Sequence, residues 1–511
     1  MTTVAAPALF RTTSMSAAPL MAAVFCGALV ITLGLRLPGF IHHDTTEVVM
    51  WGNSGWSAGF WKHPPFLPWV SRLWFEVVPM SAAGLSILTA LNMTACAWAV
   101  WRIASMAGTG DDRTNGVVAV LLLAAVPYAT GMAVKLNHNS ALISLWPLTT
   151  LAFLRAIDRP TAIRGALFGL AAAAAMLTKY YTGLLLVACL IASFARLPRA
   201  QTFYRGLAPY VAVGVFGLAM LPHALWMLDH RASSLAYAFG TASTGIVDIK
   251  RGPLMALSFA IQTPLILAPM ALAAWLFHRF GRIMPASGRP HRFEREILIL
   301  AILPYILTVV LTTFFNLRGA IAWAMPLFVC LPAVLAARIG QPSREAMKRA
   351  TVVAAILVLS IAIGGQLAMR TALARGADGI SEPRRDIAES ITATWRAGVT
   401  TPLPLVAGDQ RLASAAIIFS PDHPQAWPSF NPTHAPWIDP AAVVGSGFVA
   451  LCRKGDGVCT ANALRHAGGR AVTCHLKQRV TYLGAAGPWF EAVAVLVPPA
   501  KAAGPIACPA N

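Results

Sequence analysis

Between residues 41 and 66 the chain reads IHHDTTEVVMWGNSGWSAGFWKHPPF. Asp44 and Glu47 stand about one helical turn apart, so a helix there would show both carboxylates on one face. Lys62 and His63 follow, directly ahead of a proline pair. Carboxylates beside a lysine and a histidine can move protons and hold anionic groups. Similar residues recur wherever a later apolar run ends. Lys135, Asn137, His138 and Asn139 form one group, and Lys179, Tyr180 and Tyr181 a second. His223, Asp229 and His230 form a third, and Asn316 and Arg318 a fourth. An ionisable side chain at the centre of an inserting helix costs ~2.5–3.5 kcal/mol, so such residues are kept for function, for pairing or at the water boundary.

The elements that must position these groups are membrane helices. The 511 residues are 57% hydrophobic and only 12% charged, with mean hydropathy +0.63. The apolar residues come in long blocks separated by short basic stretches, the pattern of an integral membrane protein. The formal charge of +20 resides in those loops. With no basic stripe interleaved with aromatics, nucleic acid is excluded as a partner. At ~20 residues per span, spans are predicted near 18–38, 81–104, 116–134, 140–156, 164–178, 182–196, 207–228, 253–277, 297–315, 320–338 and 351–369, about eleven in all. The first is longer than a signal-peptide core and lacks a clear cleavage site, so it reads as a retained span.

Lys and Arg accumulate in short cytoplasmic loops. Reading 164–196 as a hairpin puts Arg102, Arg113, Arg155, Arg159, Arg164, Arg196, Arg199 and Arg205 on one side, followed by the basic loops at 279–295 and 338–349. One long helix would split them. The hairpin places the N-terminus in the cytoplasm and every polar group named above on the outer face. A transport path would also call for polar groups near the bilayer midplane. A one-sided cluster suits a reaction at the outer surface. Trp51, Trp56, Phe60, Trp61, Phe66, Trp69, Trp74 and Phe75 make the 39–80 segment fit to lie in the headgroup layer, either as a plain aromatic anchor or as a cradle for a lipid-linked substrate.

The chain thus divides into a membrane region at 1–369 and a small soluble α/β domain at 370–511 on the outside. Residues 402–408, 447–452 and 490–497 read as strands, and 409–419 and 460–467 as helices. Cys452, Cys459, Cys474 and Cys508 all fall in that tail, where topology supplies an oxidising compartment and two disulfides in any of three pairings. Cys452 with Cys459 would close a short loop. Zinc is the competing reading, but the spacings do not resemble paired CxxC knuckles.

DTTEVVMWGNSGWSAGFWKHPPFLPW (44–69) resembles the first outer loop of the polytopic GT-C glycosyltransferases related to protein O-mannosyltransferases and the lipid A aminoarabinose transferase. NHNSALISLWPL (137–148), LTKYYTGLLL (177–186) and FNLRGAIAWAMPLF (315–328) are similar to later segments of that family, in the same order. Thr45, Lys62 and Asn139 stand where the family carries acids. That loss makes the pocket more positive, which suits an acidic sugar or a phosphate-rich donor, and puts in doubt any metal held by such acids.

The resemblance implies transfer of a sugar from a polyprenyl-phosphate donor to a lipid, glycan or protein acceptor at the outer face of the bacterial inner membrane. Asp44 then matches the family's first acid and becomes the candidate base, with Glu47 beside it either orienting it or raising its pKa. Lys179 and Arg318, followed by Lys62 and His63, are candidates to hold the departing phosphate. Asn139 and Tyr180 complete the donor wall. No cofactor is called for with certainty, and a divalent cation stays open. The competing functions are a transporter or flippase of lipid-linked sugars and a glycan ligase or polymerase.

Overall fold

A computed structural model describes residues 17–107, 112–242, 251–280, 292–315, 321–339, 342–500 and 507–508. The membrane region is helical. Its first half runs α1 (Ala17–Arg36), α2 (His43–Asn53), α3 (Phe66–Val77), α4 (Ala82–Ala107), α5 (Asp112–Ala124), α6 (His138–Asp158), α7 (Ala162–Met176), α8 (Gly183–Ser193), α9 (Leu197–Arg205), α10 (Ala208–Asp229) and α11 (Ser233–Ala242). Its second half runs α12 (Arg251–Leu265), α13 (Ala268–Phe280), α14 (Glu294–Phe315), α15 (Leu331–Ile339) and α16 (Arg344–Ala374).

Among the described residues seven helical runs are long and apolar enough to cross a membrane, and nine if two bent pairs each count as one span. The eleven expected apolar segments are all helical in part, but several do not continue straight. The 116–134 segment bends by 89° where Pro127 begins a new turn. Residues 180–205 bend by 108° ahead of Pro198. Proline lacks the N–H that would carry the helix on, so an apolar window can overcount spans. The 164–196 region is indeed broken, between α7 and α8. Those two helices face different neighbours, α7 packing on α6 and α10, and α8 on α14.

Opposite ends of the helices carry different chemistry. Helix α6 starts at His138 and ends at Asp158, 21 residues later, about 30 Å at 1.5 Å per residue and enough to cross the hydrocarbon core. At its far end Asp158 pairs with Arg292 and with Arg164 at 4.0 Å. Beside it the buried Glu296 takes Arg199 at 2.8 Å, and Glu294 takes Arg338 at 2.6 Å. The near end holds Asp44, Glu47, Lys62 and His63.

After α16 come α17 (Arg384–Gly398), α18 (Gln410–Phe419), α19 (Pro440–Ser446) and α20 (Gly457–Ala467), with strands β1 (Leu405–Gly408), β2 (Gln425–Pro428), β3 (Phe448–Arg453), β4 (Val472–Gln478), β5 (Thr481–Tyr482), β6 (Ala485–Ala486) and β7 (Phe490–Val497). Five strands form one sheet in the order β2-β1-β3-β7-β4. Strand β1 lies parallel to β2 and β3, and β7 antiparallel to β3 and β4. β1, β3 and β7 are largely buried, as their continuous apolar runs require. The four tail cysteines form two disulfides, Cys452–Cys459 and Cys474–Cys508. This small domain is not remote from the membrane helices, because α18 packs on α2, with Thr46 Oγ1 and Ser414 Oγ 2.8 Å apart.

Candidate active site

Local chemistry brings each polar group to the near end. The His42 ring caps α2 by accepting the Asp44 backbone N–H at 3.2 Å, so the helix begins just where Asp44 and Glu47 are needed. Asn137 caps α6 through a capping box: its side chain accepts the N–H groups of Asn139 and Ser140, while Ser140 Oγ accepts the Asn137 N–H at 2.9 Å. The Pro64–Pro65 pair stops the loop, and the Phe66 N–H donates to the Leu177 carbonyl at 3.0 Å, tying the first loop to the break that carries Lys179.

Asp44, Glu47, Lys62, His63, Asn139, Lys179 and Tyr180 all line one cavity of about 420 Å³. Arg318 and Asn316 lie outside the described residues. Asn137, His138, Tyr237 and Trp323 also contribute to the wall, and Leu184, Leu235, Phe239 and Leu311 make its apolar side. One chamber thus joins ionic and apolar surfaces.

Asp44 is half-buried and accepts the Asn137 side-chain amide at 3.1 Å, with His42 and His43 nitrogens at 3.5 and 3.3 Å. Burial pushes its carboxyl up, but His42 and His43 when protonated, the Lys62 charge and the Asn137 bond outweigh this and hold it below the usual range. Burial lowers both imidazoles, His42 to about 4. They are therefore neutral at pH 7, and Lys62 and Asn137 keep Asp44 ionised there.

Glu47 does not bond Asp44, contrary to the orienting role expected for it. It is 3% exposed, and its carboxylate is taken by Lys62 Nζ at 2.7 Å and by the Gln410 side chain. Burial raises the Glu47 carboxyl, partly offset by Lys62. Burial also works against the Lys62 ammonium, but Glu47 overcomes it and raises its pKa. Whatever upward push Glu47 exerts on Asp44 is outweighed, since the Asp44 carboxyl is lowered overall.

Lys179 is different. Its ammonium donates to Asn139 Oδ1 at 2.5 Å and sits over the Trp323 ring at 5.2 Å. Among the described residues no carboxylate pairs with it. Burial lowers it to about 8. Tyr180 Oη is held by His223 Nε2 at 2.7 Å and Ser234 Oγ at 2.6 Å, and Tyr181 Oη by Thr308 at 2.6 Å. The rings of His63 and His138 lie 3.9 Å apart, against Trp51.

For metals, the candidate group among the described residues is His42, His43 and Asp44, one ligand atom of each lying within 4.8 Å of the others. Two neutral imidazoles and one carboxylate suit zinc or another transition metal better than Mg²⁺. The His42 Nδ1 bond to the Asp44 N–H competes with ligation, and any ion there would occupy Asp44.

Sequence reasoning missed Gln410, which reaches Glu47 across 363 positions. It also missed Tyr237, whose ring takes Lys62 at 5.7 Å. No local motif marks either residue.

Residues 62–226 match the family model for dolichyl-phosphate-mannose-protein mannosyltransferase. Lipopolysaccharide core galacturonosyltransferase RgtA of Rhizobium johnstonii is 27% identical over 457 residues, covering 86% of this chain and 87% of that protein. Lipopolysaccharide core galacturonosyltransferase RgtB of the same organism is 26% identical over 362 residues, 67% of this chain and 69% of that one. The crystal structure of ArnT from Cupriavidus metallidurans in the apo state superposes with a TM-score of 0.56 at 14% identity, over 94% of this chain and 98% of that one, and shares the fold. Together these likenesses support a glycosyltransferase at the membrane, built on the fold that ArnT shows. The stretch that matches the family model runs from Lys62 to Trp226 and so takes in Asn139, Lys179 and His223, while Asp44 lies ahead of it.

Proposed function

We propose that the enzyme transfers a uronic acid from a polyprenyl-phosphate donor to the sugar of a glycolipid of the lipopolysaccharide-core kind, at the outer face of the inner membrane. The observation that carries this reading is Lys179, a buried ammonium bonded to a neutral amide and not to a carboxylate. A buried cation of that kind is stabilised when an anion arrives. The apolar wall of Leu184, Leu235, Phe239 and Leu311 offers the prenyl chain its place. Lys62 and Asn139 where relatives tend to carry acids favour an anionic sugar, and RgtA and RgtB are both named as galacturonosyltransferases.

In this reading Asp44 takes the proton of the acceptor hydroxyl as its oxygen attacks the anomeric carbon. The bond from that carbon to the phosphate oxygen breaks, and polyprenyl phosphate leaves with the electron pair. Lys179 balances the charge that develops on the leaving phosphate, so no strong general acid is needed. Glu47 acts by holding Lys62 in the wall. The orientation follows from the basic loops at the far end of α6, whose Lys and Arg content belongs in the cytoplasm.

The test is a purified assay with galacturonosyl- and galactosyl-phosphate polyprenols and a lipopolysaccharide-core acceptor. Preference for the uronic donor is expected, and Asp44→Asn should abolish transfer while still binding donor. Equal use of both donors would remove the acidic-sugar assignment, and unchanged transfer by Asp44→Asn would remove the base.

A further inference from the structure

A second cavity, of about 460 Å³, adjoins the first. Its walls are the Ser54–Trp61 loop, the end of α10 with the turn that follows it, and residues 433–437 of the soluble domain. Aromatic rings dominate it. Trp61 stacks on His434 with centroids 4.3 Å apart, and Trp226 stacks on His230 at 4.2 Å. Trp437 meets Phe60 edge-on at 6.3 Å. Asp229 and Arg231 are exposed at its rim and form no ion pair among the described residues.

Two features show that this hollow is built. A Cβ at Gly59 would come within 2.3 Å of the Trp226 ring, so only glycine lets that ring lie against the loop. Arg231 and Ala232 both adopt left-handed backbone, at φ 50° and 53°, a conformation that costs energy in non-glycine residues and gathers at ligand sites.

The partition between the cavities is one stretch of chain. The Phe60 N–H donates to the His63 carbonyl at 3.2 Å, closing a turn in which Trp61 faces the second cavity while Lys62 and His63 face the first. Trp61 also meets Tyr237 of the first cavity edge-on at 5.1 Å.

We infer that this second cavity is the acceptor subsite, binding a saccharide of the glycan beside the Trp61–His63 partition that divides it from the Asp44 chamber. Sugar rings present apolar C–H faces to aromatic rings and hydroxyls to flanking charges, the mixture of ring faces with a few polar groups that Trp61, Trp226, Asp229 and Arg231 provide. A prenyl chain would leave those charges unmatched. The inference rests on the proposed transfer, but binding can be read without turnover.

The experiment uses the full-length enzyme in nanodiscs with delipidated core oligosaccharide, in the absence of donor. Saturable binding to the wild type is expected, weakened about three- to tenfold by Trp437→Ala and by Asp229→Asn, with thermal unfolding unchanged for Asp229→Asn. In turnover the same variants should raise the acceptor KM and leave the donor KM alone. No binding by the wild type, equal binding by both variants, or a shift confined to the donor KM would each overturn the assignment. If the oligosaccharide binds at this cavity while no uronic donor is used, the subsite stands and the donor reading falls.

Discussion

Replacing Lys179 by arginine tests the anion-binding role through pH. Burial lowers the Lys179 ammonium from 10.5 to about 8, so it is charged below pH 8 and loses its charge as the pH rises through that value. Free enzyme that is mostly charged at pH 7 is about one-tenth charged at pH 9, so kcat/KM for the donor should fall about tenfold across that interval. A bound phosphate stabilises the ammonium and moves the same limb of kcat to higher pH. At the acid end Asp44, held below the usual carboxylate range, stays ionised down to mildly acidic pH. Arginine keeps its charge throughout, so Lys179→Arg should retain activity and lose the alkaline limb. Lys179→Met should lose the charged hydrogen bond at every pH, about tenfold to a hundredfold in kcat/KM for a bond of ~1.5–3 kcal/mol. Initial rates with varied donor between pH 5 and 9.5 decide it. An alkaline limb that persists in Lys179→Arg, or an unchanged donor kcat/KM in Lys179→Met at pH 7, would refute the reasoning.

Other substitutions probe the frame around the site. Lys62→Met strands the buried Glu47 carboxylate and should cost about 3–5 kcal/mol, whereas the pair Lys62→Met with Glu47→Gln should recover much of it, both read by thermal unfolding. Excess Zn²⁺ should inhibit by occupying Asp44 with His42 and His43, and His43→Ala should relieve that inhibition; equal inhibition of the variant would show that zinc acts elsewhere. Serine in place of Cys474 opens a closure of sequence separation 34 and serine in place of Cys459 one of 7, so chain entropy makes the first loss about 4 and the second about 2 kcal/mol in urea unfolding. Gly59→Ala should displace Trp226 at a cost of about 1–3 kcal/mol.

The sequence was most legible where the physics is local. Apolar length located the helices, and the capping residues His42 and Asn137 lie where the polar motifs begin. The count of spans was less legible, because hydropathy does not register that Pro127 and Pro198 turn the backbone. Gathering Asp44, Asn139 and Lys179 on one face needed only the rule that basic loops share a side, and all three line one cavity. What each carboxylate does was not legible. Spacing could place Asp44 and Glu47 one turn apart, but Glu47 finds Lys62 15 positions on and Gln410 in a different domain. Those partners are settled by tertiary packing.

That division bears on two of the three positions, Lys62 and Asn139, where this chain departs from the family pattern it resembles. An acid at 62 would face Glu47 across the present 2.7 Å contact and place two buried carboxylates together, where one would have to stay protonated or share a cation. An acid at 139 would sit against Lys179 Nζ and neutralise it. With lysine and asparagine instead, Glu47 is balanced internally and the Lys179 charge is left for substrate. The two departures therefore act in one direction: both take negative charge out of the chamber, and both leave Asp44 as its accessible carboxylate. A protein carrying Lys62→Asp with Asn139→Asp, and Glu47→Gln to avoid a buried carboxylate pair, should bind an anionic donor less tightly than a neutral one. Donor affinities that keep their present order in that variant would show that substrate charge is read elsewhere.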